Sequence, residues 1–242
     1  MDPRNFYVRI FSVSTALFCS WLFSIPTCAQ QKPPRVGRIA LVVDERLSAL
    51  RSTPDLAGKL IRRVGRGRVV AVRAAKRNSE GIVFLRVNLS SRTHGWMQRE
   101  ALVSPFRDGD DERLLRLILS STEFDRIVRA RIFLDHFPRS PHRPRVLLLF
   151  GDTAEEISGR LTRDAARRAP ANSDSSAPEF SYYLNYSGLD RYNRQGVRFI
   201  FAPTSKRLHY DGATWRELIR RYPNSSEALI AKQRLTLVLP LD

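Results

Sequence analysis

Between residues 38 and 105 the apolar residues fall in short runs separated by glycine and polar turns: Ile39 to Val43, Lys59 to Val64, Arg68 to Arg73, Ile82 to Val87 and Trp96 to Gln98. Most are rich in Val, Ile, Leu or aromatics, the residue types that suit a pleated, half-buried surface. In the fourth run Val83, Leu85 and Val87 alternate with Phe84 and Arg86, so at least one face is apolar. Ser52-Thr53-Pro54-Asp55 and Gly65-Arg66-Gly67 supply the tight reversals. Runs of roughly 3 to 6 residues must close on themselves to bury a face, so the pattern predicts a small barrel and not an enzyme core.

From Asp111 onward the period changes. Leu114, Leu115, Ile118 and Leu119 share one helical face. Ser120 with Glu123 matches a capping box, which predicts a second helix from near Ser121 to about His136, stopped by Pro138. Beyond Pro144 the spacing of Phe150, Ala154, Ile157 and Leu161 predicts a long helix to about Arg168. Ala169 to Pro178 is rich in Ala, Pro, Ser and Asn and reads as a flexible loop that opens an insertion over about 169–212. Within it Val197 to Phe201 and Arg207 to Tyr210 read as a β-hairpin. Tyr182, Tyr183, Tyr186, Tyr192, Phe199, Phe201 and Tyr210 make this stretch aromatic, which suits anchoring to the helices more than a recognition patch.

The segments IFLDHFPRS (Ile132 to Ser140) and LIRRYPNS (Leu218 to Ser225) both run from an apolar helical end through an aromatic and Pro into Ser. Pro cannot continue the first helix and Ser can cap the next, with Phe137 or Tyr222 filling the space between the paired helices.

Residues 1–29 change the picture of where the chain works. Arg4 and Arg9 precede an apolar stretch from Ile10 to Ile25, then Pro26 and the small residues Thr27-Cys28-Ala29, the layout of a secretory signal peptide. About 16 apolar residues fall short of the roughly 20 that a spanning helix needs. Cleavage after Ala29, an uncleaved anchor, and lipidation of Cys28 all stay open. Both cysteines lie in this leader, so a chain cut after Ala29 has neither a disulfide nor a cysteine nucleophile. The 242 residues carry a net charge of +17, and +16 without the leader, with 36 Arg against 5 Lys. Such a charge attracts polyanions. An exported protein rarely meets nucleic acid, which leaves a solvated basic surface, or an envelope polyanion such as anionic lipid or cell-wall carboxylates.

In order along the chain, Leu50-Arg51-Ser52-Thr53-Pro54, Gly67 to Val72, Phe84 to Val87 and Gly95-Trp96-Met97 resemble the bacterial SH3-like domain, SH3b. The resemblance covers about 65 residues; Phe84 stands where that family often has Trp, and the loop from Ala74 to Glu80 is unusually basic. It implies a non-catalytic module for cell-wall peptides or glycans, with Arg51, Phe84 and Trp96 as candidate ligand contacts. Arg62, Arg63, Arg66 and Arg68, the densest basic cluster of the segment, are candidate anion contacts. The repeated helix, aromatic-Pro-x-Ser, helix pattern resembles tetratricopeptide-like repeats, which implies protein binding. The regular period is absent, since Pro138 and Pro223 lie 85 residues apart, and a plain helical bundle remains open.

Enzyme chemistry finds no support. His94, His136, His142 and His209 show no pair at metal-ligand spacing on one helix. Glu155-Glu156 and the acidic run from Asp108 to Glu112 read as solvated carboxylates, and Gly65-Arg66-Gly67 is too short for a phosphate loop. No catalytic residue, metal or cofactor is expected. The fold expected is α+β: an SH3-like β-barrel at 38–105, joined by Pro105 to Asp111 to a helical-hairpin domain at 111–242. The expected function is noncovalent binding in the periplasm or cell envelope, to cell-wall peptide or glycan, to an envelope protein, or to an anionic membrane surface.

Overall fold

Seven antiparallel strands form the N-terminal sheet of this computed structural model, and helices follow them. The strands are β1 (Ile39–Val42), β2 (Ala49–Arg51), β3 (Leu60–Arg63), β4 (Val69–Arg77), β5 (Val83–Asn88), β6 (His94–Gln98) and β7 (Leu102–Val103). Their order is β3-β2-β6-β5-β4-β1-β7, which places β3 and β7 at the two ends. The structure describes residues 39–168 and 187–238, all within the compact unit Pro33–Asp242. The signal peptide expected at 1–29, the loop expected at 169–178 and Tyr182, Tyr183 and Tyr186 lie outside the described residues. No described helix is long and apolar enough to cross a membrane.

The helical part contains α1 (Asp110–Leu119), α2 (Glu123–His136), α3 (Arg143–Arg168), α4 (Asp190–Asn193), α5 (Ala213–Arg221) and α6 (Ser226–Val238), with a two-stranded hairpin of β8 (Phe199–Ala202) and β9 (Arg207–Tyr210) before α5. Helix α3 is the hub: α2, β9, α5 and α6 all pack on it. The two helix, aromatic, Pro, Ser segments join α2 to α3 and α5 to α6. Phe137 is buried and stacks on Phe133 at 5.4 Å, and Tyr222 packs partly buried against the same core. Ser225 accepts a hydrogen bond from the Ala228 N–H at 3.2 Å, a capping bond, whereas the Ser140 hydroxyl donates to Asp111 at 2.7 Å and so ties the α2–α3 turn to α1. The aromatics of the hairpin region are anchors: Tyr192 and Tyr210 are fully buried, and Tyr192 makes edge contacts with Phe124 at 5.4 Å and Phe199 at 5.8 Å.

The capping box expected at Ser120 and Glu123 is not formed. Thr122 is the residue before the helix, and its side chain makes no cap bond. Ser121 donates to the Leu117 carbonyl and accepts from Arg129, while Glu123 pairs with Arg160 on α3. A charged partner across the helix pair outcompetes a local cap, because a charge-assisted bond is stronger than a neutral one.

Strand β1 decides how the sheet meets the helices. Alternate side chains of a strand point to opposite faces. Ala40 and Val42 enter the sheet's own core with Leu50, Val70, Leu85 and Met97, while Leu41 and Val43 enter the helical core with Ile118, Ile127 and Phe133. Strand β7 divides in the same way: Leu102 faces the sheet core and Val103 the helical one. From Ala40 to Val43 both faces are therefore buried, which is why the run is continuously apolar there and not alternating, while Ile39 at its start is exposed.

Polar bonds close the seam. Arg129 donates through Nε to the Val43 carbonyl at 3.1 Å, and Arg113 donates to the Glu100 and Leu102 carbonyls at 3.0 and 2.8 Å. Buried Asp110 accepts from the Ser104 N–H at 2.7 Å and from Arg107 at 2.6 Å, which fixes the connection between β7 and α1.

Candidate functional site

The turn between β3 and β4 carries Gly65-Arg66-Gly67 and faces the β5–β6 turn. Between them lies an open cleft of about 650 Å³ whose lining includes Arg62, Arg66, Arg68, Ser90 and Thr93. Three of the four arginines singled out in the sequence thus meet in one place. Arg63 is not among the lining residues; it reaches back toward the Arg46 carbonyl at 3.5 Å. Ser90 and Thr93 had no signal in the sequence, because a Ser-Ser-Arg-Thr turn resembles any polar hairpin end.

The three arginines differ in freedom. Arg66 is clamped: its side chain is 11% exposed, it holds Asp125 of α2 through both terminal nitrogens at 2.8 and 3.4 Å, and its N–H donates to Glu45 at 3.0 Å. Arg62 and Arg68 are exposed and have no ion-pair partner among the described residues. The cleft therefore offers two uncompensated guanidinium groups beside a third that is already neutralised. That arrangement attracts a carboxylate or phosphate oxygen, since Arg presents paired donors in the geometry those groups accept.

The hydrogen bond from Arg66 holds the Asp125 carboxyl below the usual range, against a smaller opposing effect of burial, and the charges of Arg66, Arg129 and Arg46 add to it. A lowered carboxyl pKa contributes stability above the unfolded value, near 3.8, that is lost as the pH falls through the folded one. Wild type and Asp125→Asn compared by chemical denaturation should differ by less than about 1 kcal/mol at pH 6, because Asp125 is half exposed, and should converge as the pH drops below about 3.8. A difference that grows on acidification would rule out this clamp.

The aromatic shelf is reduced by the structure. Phe84 is 0% exposed and shows no face to a ligand, because a phenyl ring on so small a sheet stabilises by about 1.5 to 3 kcal/mol when buried. Trp96 is half-buried on β6 and lies across the ladder from Arg51 on one side and Arg86 on the other. Arg51 donates to the Gly58 carbonyl at 2.8 Å and so holds its own loop. Gly95, just before Trp96, lets the strands approach: a Cβ there would stand 2.6 Å from the Arg51 carbonyl oxygen and 2.9 Å from Leu50. The Gly-Trp pair thus combines a close backbone approach with a partly open indole.

Glu155 departs from the expectation of a solvated carboxylate. It meets His209 Nδ1 at 2.9 Å and accepts from the Tyr210 N–H at 2.8 Å, so it pins β9 to α3. Among the described residues no group of three or more His, Cys, Asp or Glu is placed to hold a metal ion.

Compared with family models, curated proteins and solved structures, the chain matches none of them.

Proposed function

We propose that this protein is an exported, non-catalytic envelope binding protein whose N-terminal sheet is an SH3-like module that recognises cell wall or a partner peptide. The observation that carries this reading is the open cleft in which Arg62 and Arg68 stand without an ion-pair partner among the described residues, beside the clamped Arg66. A net charge of +17 draws anionic envelope material toward it, and the paired donors of arginine give the contact orientation. The short antiparallel strands and the Gly95-Trp96 close are in keeping with the SH3-like reading.

Retention of the protein on purified peptidoglycan at low and high salt tests this. Screening shortens the reach of charge from about 10 Å at 0.1 M to about 3 Å at 1 M. We expect retention that persists at high salt and is lost in an Arg62→Glu, Arg68→Glu variant. Binding that vanishes at moderate salt in wild type would reduce the interaction to bulk charge.

A second reading is favoured by α6: a tetratricopeptide-like adaptor that scaffolds an envelope protein complex. Leu229 and Leu237 are 60% and 75% exposed on the outer side of that helix, while Ala228 and Ala231 are buried on its inner side. Failure of wall binding in all conditions would favour this adaptor.

A further inference from the structure

Strand β3 is an open sheet edge. Among the described residues it pairs only with β2, and all four of its residues, Leu60, Ile61, Arg62 and Arg63, are exposed. The opposite end of the sheet is closed differently, since both residues of β7 are buried and the Leu102 carbonyl is taken by Arg113. An edge with free backbone groups is a template for another strand unless something blunts it. Among the described residues this edge is blunted by charge, from Arg62 and Arg63 with Lys59 just before them, and by the bulge in its pairing with β2. Positive charge repels a basic strand, including a second copy of this one, and attracts an acidic one. Two apolar side chains, Leu60 at 48% and Ile61 at 45% exposure, remain on the same edge.

From this we infer that β3 takes an extended acidic peptide of a partner protein as an eighth strand, with the peptide's carboxylates against Arg62 and Arg63. The inference deepens the reading of the sheet as the binding module and rests on it. The pairing with β2 settles the pattern of the partner. Leu60 and Arg63 lie opposite Arg51 and Ala49 on one face of β3, Arg62 lies opposite Leu50 on the other, and the register shift between Leu60 and Arg62 places Ile61 at a bulge, so each face offers one basic position, with the apolar Leu60 and Ile61 beside them. An antiparallel strand that places carboxylates opposite Arg63 and Arg62 and apolar side chains opposite Ile61 and Leu60 reads acidic, acidic, apolar, apolar. Arg62 also lines the cleft shared with Arg68, which extends the basic surface past the end of the strand. Backbone bonds would supply affinity and the alternate side chains selectivity, as in other strand additions.

The test uses the full-length protein and labelled octapeptides built around Glu-Glu-Val-Ile, measured by fluorescence anisotropy. We expect this peptide to bind at least about tenfold more tightly than the matching Lys-Lys-Val-Ile peptide, with the preference reversed in an Arg62→Glu, Arg63→Glu variant. Both arginines are exposed, so that variant keeps the fold; circular dichroism checks it. A third peptide, N-methylated at alternate residues along the edge that would face β3, keeps the charge and loses the donors. We expect at least about tenfold weaker binding from it. Equal binding of the methylated and unmethylated peptides would overturn strand addition while leaving charge-based recognition standing. Wall retention without any peptide binding would overturn this inference alone, and the loss of both would overturn the binding-module reading with it.

Discussion

Residues 30–107 expressed without the helices will not unfold cooperatively as they do in the full chain. Leu41, Val43 and Val103 are each 0% exposed, and all three sit in the core shared with α1, α2 and α3. Removing the helices returns them to water at about 1.5 to 3 kcal/mol each. Together that is comparable with the whole stability of an ordinary domain, about 5 to 15 kcal/mol. The cut also takes Arg129 from the Val43 carbonyl and Arg113 from the Leu102 carbonyl, and frees Arg66 from Asp125. Urea unfolding followed by tryptophan fluorescence, with amide exchange on β1, would read the effect: Trp96 reports on the fragment. A sharp transition at the full-chain midpoint, with β1 protected, would mean that the sheet core around Val42, Val70 and Val87 suffices by itself. The expected broad or absent transition has a functional corollary. Binding assays on the isolated sheet would report a damaged surface, so the cleft and the β3 edge are better tested by substitution in the intact chain.

The change of periodicity near residue 107 is plain in the sequence because it marks a change of element type; the sharing of a core across it is not. Five apolar residues in a row at Ile39 to Val43 announce a strand, yet only its neighbours in space reveal that Leu41 and Val43 serve the helices. The long helices were legible for the opposite reason. Phe150, Ala154, Ile157 and Leu161 repeat at helical spacing over several turns, and α3 does run Arg143–Arg168. Strands β2 and β7, of three and two residues, are too short for a period to show, and neither is among the strand runs read from the sequence. For the candidate site, adjacency in sequence placed Arg62, Arg66 and Arg68 together, since a tight turn keeps neighbours close. That Arg66 is already neutralised depends on Asp125, 59 residues away on α2, and no local pattern carries that information.

Trp215→Ala will be the most damaging single substitution among the helices, with an expected loss of about 3 to 5 kcal/mol. Trp215 of α5 is 0% exposed and meets Tyr210 edge-on at 5.5 Å, and Tyr210 lies 6.5 Å from Phe150 on α3. Burial pushes the Tyr210 hydroxyl up to about 12, so this ring stays neutral throughout the physiological range and the packing does not titrate there. The indole lies directly on the backbone of α3. A Cβ at Gly151 would stand 2.3 Å from its Nε1, far inside contact distance, so glycine is the residue that lets α5 approach α3 this closely. A coupling follows from that geometry. Gly151→Ala alone should destabilise, because the methyl group forces the indole off its seat. In the Trp215→Ala background the same methyl enters the space the indole vacated, and the helix gains the better propensity of alanine. The double variant should therefore be less destabilised than the sum of the two singles, by an interaction energy of about 0.5 to 3 kcal/mol. Additive losses in thermal or urea unfolding would show that α5 does not rest on Gly151. The joint between the hairpin, α5 and α3 would then have to be held by Glu155 and its bonds to His209 and Tyr210 instead.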